Sequence, residues 1–174
     1  MEVIFPSYSL KILLKYINKG VIDMSKYKAN FKEQQTTEIL ESVYRNARLA
    51  YKSTFEILKR CQNNELYGEL AREQDRYKTV ASRARRELAK LGAPAYEAPA
   101  YMRTMVKTGI AMKTAKNHDT GHLAEIMYKG TSNGVIDMQR TLNRSRCAEK
   151  NIRASAEKLL EREQEFCENL RRFL

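Results

Sequence analysis

Gly92-Ala93-Pro94-Ala95-Tyr96-Glu97-Ala98-Pro99-Ala100 holds two of the chain's three prolines and no basic residue. Gly92 sits where a helix ending at Leu91 needs a left-handed residue, and Pro94 lies just beyond that stop. Each residue before a proline is pushed away from α geometry, so the stretch reads as an extended linker. After it, Tyr101 to Lys116 carries Met102, Met105, Val106, Ile110 and Met112 and reads as a short helix. At 1.5 Å per residue that helix is about 24 Å long, little more than half of its neighbours. A linker plus a half-length helix reaches from one end of a bundle to the other, whereas up-and-down connectivity needs only a short loop. The long helices on either side of the crossover are therefore expected to run parallel.

Outward from this point lie four long amphipathic segments. The first covers about 30–61, with Ile39/Leu40, Val43, Ala47, Ala50, Thr54 and Ile57/Leu58 as its stripe. Asn30 with Glu33 resembles a capping box, a start nearer Thr37 being the alternative. The second, about 65–91, follows Asn64 as N-cap and carries Leu66, Leu70, Tyr77, Val80/Ala81, Ala84, Leu88 and Leu91. The third runs from about 119 to 144. The fourth covers about 148–173, with Ala148, Ile152, Ser155, Leu159, Phe166, Leu170 and Phe173. Between the last two, Asn143-Arg144-Ser145-Arg146 has neither Gly nor Pro, so one long bent helix competes with two.

Two antiparallel pairs joined by a long crossover make an all-α, ferritin-like four-helix bundle. Residues 24–174 resemble a group of uncharacterised bacterial ferritin-like bundles. The resemblance rests on MSKYKANFKEQ (24–34), HLAEIMYKGTSNGVIDMQRTLN (122–143) and AEKLLEREQEFCENLRRFL (156–174). It implies the fold and brings no activity with it. The resemblance begins at Met24, which leaves residues 1–23 as an extension. The pentapeptide GVIDM occurs at 20–24 and again at 134–138, with no wider periodicity. Lys19-Gly20-Val21-Ile22 is encodable as a purine-rich ribosome-binding sequence just upstream of an ATG, so a mis-set gene start explains the first copy. A real extension, with Leu10, Leu13, Leu14 and Ile17 on one face, is the alternative.

The second copy has a packing explanation. Gly130 and Gly134 each cost up to about 1 kcal/mol relative to Ala inside a helix. Two such glycines on one face predict close approach by a neighbouring helix, with Asp137 partly buried beside them and in need of a partner.

The 174 residues fit one domain, and no stretch reaches the roughly 20 apolar residues that span a bilayer. Three cysteines without C-x-x-C spacing point to reduced thiols in a cytoplasm. The net charge of +11 is spread along the chain except for Arg83, Arg85 and Arg86, the residues on which a nucleic-acid-binding alternative rests. A ferritin-like bundle raises the question of two metal ions, which need a Glu on two helices and Glu-x-x-His on the other two. The chain has two histidines, His118 and His122, and neither lies three residues after a Glu. The complete motif is absent. A degenerate divalent-metal site would use Glu73, His122, Glu125 and Glu163, since extending the stripes of the second and fourth helices puts Glu73 and Glu163 near the core. Phosphate-cradling and acyl-transfer motifs are missing. The reading favours a non-enzymatic bundle with no cofactor, working by association with a protein partner or a second copy of itself.

Overall fold

The computed structural model describes residues 24–96, 104, 109–110, 114 and 117–174. Four long helices account for most of them: α1 (Met24–Leu58), α2 (Asn64–Lys90), α3 (Thr120–Arg144) and α4 (Lys150–Arg171). No strand is present among the described residues. The extension 1–23 and most of 101–116, including Met102, Met105 and Met112, lie outside the described residues. Thr104, Gly109, Ile110 and Thr114 of the crossover are helical, and Ile110 and Thr114 are buried.

Local chemistry sets the helix ends. Asn63, one residue earlier than expected, caps α2 by accepting the Leu66 N–H on its side-chain oxygen at 2.9 Å. Gly92 closes the other end with φ +67°, a conformation that disfavours any residue with a Cβ. α1 starts at Met24 rather than Asn30 and stops at Leu58 rather than Cys61. Its early turns are exposed and held by local pairs: Tyr27 stacks on Phe31 with ring centres 6.5 Å apart, and Gln34 donates to Glu38.

Two sets of contacts fix the topology. At one pole the start of α1 meets the α3–α4 turn: the Glu149 N–H donates to Thr36 Oγ1 at 2.9 Å, and Ser145 Oγ donates to Glu38 Oε2 at 3.1 Å. At the other pole Arg172, just beyond α4, bridges Glu65 and Glu69 in the first turns of α2. α3 also begins there, with Gly121 against the carbonyl of Phe173. α2 and α3 thus start at the same pole and run parallel, as the crossover predicts, and the two interhelix turns sit at opposite ends.

The α3–α4 break is real. In place of glycine, α1 and the first turn of α4 supply its partners. Cys147 N–H donates to Gln35 Oε1, and Arg153 reaches back to the Leu142 carbonyl. Ser145 is wholly buried. The stripe of α4 is displaced from the expected one: Ala156 and Leu160 are buried, while Ser155 is exposed and Leu159 only half-buried.

The core has two halves. Toward the first pole, Ile39, Leu40, Val43, Leu88, Met138, Leu142 and Leu160 pack together. Toward the second, Ile57, Leu66, Leu70, Leu123, Met127, Phe166 and Leu170 form a separate cluster. Burial of each of these leucines is worth roughly 2 kcal/mol. Between the halves, every one of α2, α3 and α4 places a polar residue on its inner face.

Candidate functional site

The polar waist follows from helical spacing. On α2 the inward series Leu66, Leu70, Glu73, Tyr77, Ala81 inserts a carboxyl and a phenol between apolar neighbours. On α3, Thr131 stands between Met127 and Met138. On α4, Glu163 stands between Leu160 and Phe166. Tyr77 Oη donates to Glu163 Oε2 at 2.9 Å, and the Thr131 hydroxyl is a further partner of the phenol. Glu73 is 7% exposed and pairs with Arg76 one turn on, whose side chain reaches solvent.

The electrostatics follow from burial. Glu163 is pushed up to about 7 by loss of solvent, with the Tyr77 hydrogen bond opposing and the nearby Glu73 reinforcing the rise. Burial also raises Glu73, against the pull of Arg76. Tyr77 is held well above its ordinary range by burial, then by the charge of Glu163. Glu163 therefore exchanges its proton near neutrality instead of in acid.

The waist opens into a cleft of about 650 Å³ between α1 and α3. Tyr77 and Glu163 line it, together with Ala47, Ala50 and Ile57 of α1 and Met127 and Met138 of α3. Gly109 and Ile110 of the crossover contribute as well. The more polar lining is Arg45 and Asn46 from α1 and Lys129, Asn133 and Asp137 from α3. A concave, mostly apolar space with a few converging polar groups is the usual form of a small-ligand site.

Gly130 and Gly134 line this cleft, and that corrects the packing expectation. A Cβ built on either meets nothing within 4 Å. The face of α3 that packs is offset by one residue: Thr131 is buried, and Gly130 is exposed. The glycines leave room instead of admitting a neighbouring backbone. Close approach occurs at Gly121, where a Cβ would stand 3.2 Å from the Phe173 carbonyl oxygen. Asp137 is half-buried, and its partner is a neutral amide: Asn46 Nδ2 donates to Asp137 Oδ2 at 3.3 Å.

Of the four residues proposed as a metal set, the fold brings Glu73 and Glu163 to one interior and leaves the others outside it. Leu123, Ala124 and Met127 take the inner face of α3, which turns Glu125 to the surface, where it pairs with Lys129 and, at 3.6 Å, with His122. No group of three His, Cys, Asp or Glu side chains that would hold a metal ion occurs among the described residues. Arg83, Arg85 and Arg86 are exposed along α2, with Glu87 beside Arg83 and Arg86. Cys61 and Cys147 lie in opposite turns, and Cys167 is buried near Ser132. No helix among the described residues is long and apolar enough to cross a membrane.

Tyr77 was legible as a core position, but its hydroxyl's role required knowing that Glu163 faces it across the bundle. Comparison with family models, with curated proteins and with solved structures finds no match to this chain.

Proposed function

We propose that this chain is a non-enzymatic, ferritin-like helical bundle whose work is binding, carried out in the cleft between α1 and α3. The ferritin-like assignment is supported by the parallel course of α2 and α3 and the long connection between them. The binding role rests on one observation above all: a mostly apolar cleft of about 650 Å³ lined by the buried Tyr77 phenol and the half-buried Glu163 carboxyl bonded to it. Its volume falls in the range of small-molecule sites. Gly130 and Gly134 keep it open despite the stability each costs within α3.

The test is to fill the space. Gly134→Leu adds a side chain where nothing lies within 4 Å, so the helix keeps its packing and the cleft loses volume. An apolar fluorescent probe titrated into the full chain is expected to bind with a stoichiometry of one and to lose that binding in the variant. Equal binding by both proteins refutes the reading.

Association with a protein partner or a second copy is a separate reading, favoured by the stacked and exposed Tyr27 and Phe31 in the first turns of α1. Light scattering on the double Ser variant of these two residues tests it: an unchanged mass and partner profile ends it.

A further inference from the structure

The cleft's charge arrangement identifies the kind of molecule it takes. We infer that its occupant is a small amphipathic organic cation, an ammonium group on an apolar body, seated with the ammonium against the Oε1 atom of Glu163. This rests on the binding role proposed above and names the ligand class for that same site.

Three observations carry it. Glu163 Oε2 is occupied by the Tyr77 hydroxyl, while Oε1 accepts no hydrogen bond from any described residue. Glu163 is half-buried on the cleft wall, and a cationic donor brought to its free oxygen at a partly desolvated position is worth more than in water. The walls leading to it are apolar, from Ala47, Ala50, Met127 and Met138, and suit a hydrocarbon body. An anionic headgroup at the same depth would instead face Glu163, with Asp137 as a second negative charge in the lining.

The cations of the cleft do not reverse this. Lys129 is committed to Glu125, which leaves Arg45 as the remaining positive charge of the lining, on α1. Tyr77 and Glu73 act on Glu163 directly. Of the other charged or titratable groups around it, Arg76 and Arg162 act on Glu73; Arg45, Lys129 and Asp137 line the cleft from α1 and α3; and Cys167 lies on its own helix. Seating an ammonium requires the ionised carboxyl, so a protonated Glu163 releases its proton to solvent on binding while the amine keeps its own.

Calorimetry on the full chain with octylammonium, octanol and octanoate tests the assignment. At pH 8.5 octylammonium is expected to bind at least about tenfold tighter than octanol, with octanoate weakest. With Glu163 pushed up to about 7, most of it is protonated at pH 5.5, so octylammonium affinity is expected to fall there by about tenfold or more while octanol is unchanged. Glu163→Gln should reduce octylammonium to the octanol level and abolish its pH dependence. Gly134→Leu should weaken all three, and serves if the Gln variant misfolds.

Octanol binding with no ammonium preference overturns the cation assignment and leaves the cleft-binding role standing. A preference for octanoate, or ammonium affinity indifferent to Glu163→Gln, also overturns it. No binding by any of the three removes both.

Discussion

Glu163→Gln is expected to make the folded chain more stable above neutral pH and to change little in mild acid. The carboxyl titrates near 4.5 when the chain is unfolded and at about 7 in the bundle. Between those values the native state holds a proton that the unfolded state has lost, so stability falls as pH rises through this window. At about 1.4 kcal/mol per pH unit, the accumulated loss is about 3 kcal/mol by pH 8. Gln carries no such charge and still offers an oxygen to the Tyr77 hydroxyl. The difference between variant and wild type, measured by urea unfolding with far-UV circular dichroism at pH 5, 6, 7 and 8, should start below about 1 kcal/mol and climb toward that figure, most of the rise coming before pH 7. Taking the difference cancels the other titrating groups, apart from those coupled to Glu163, of which Glu73 is the nearest concern. A difference that stays flat from pH 5 to pH 8 would refute the reasoning, because it would mean that Glu163 ionises in the bundle as readily as in water.

Glycine substitutions along α3 should have opposite signs. Gly130→Ala is expected to stabilise by about 0.5–1 kcal/mol, since its Cβ meets nothing, whereas Gly121→Ala should destabilise by about 1 kcal/mol or more against the Phe173 carbonyl, both read from thermal melts. Thr36→Val leaves the Glu149 N–H without its acceptor and should cost about 1–3 kcal/mol by the same assay, with amide exchange at Glu149 accelerated. Cys61 and Cys147 sit at opposite poles, separated by roughly 40 Å of helix, so a short bis-maleimide should not join them within one chain; an efficient intramolecular link, seen by mass spectrometry, would contradict the topology.

The periodic stripes of α1 and α2 and the stop at Gly92 announce their helices, because burial and capping leave local marks in the chain. GAPAYEAPA carried the topology for the same reason: two prolines and a connection too long for a tight turn constrain reach. Extending the stripes also found Glu73 and Glu163. What escaped was information held between helices. One residue of offset on α3 moves Gly130 from a contact to open space, and a similar offset on α4 exchanges Ser155 for Ala156. Each residue turns a helix by about 100°, so a small error in face assignment reverses inside and outside. Glu125 was misplaced this way: its neighbour Ala124 faces the core. The cleft is a gap between two helices; Gly130 and Gly134 mark it in the sequence, but two glycines on a helix read equally well as a close packing contact.

The α3–α4 corner draws its hydrogen-bond partners from Gln35, Thr36 and Glu38, more than a hundred residues earlier in the chain. The bend is therefore held from outside its own hairpin as well as from within it, where Arg153 reaches the Leu142 carbonyl. An excised 117–174 peptide loses those three partners, so its corner is expected to be held less firmly, with faster amide exchange at Cys147 and Glu149. The first helix thus serves as a brace across the bend between the last two.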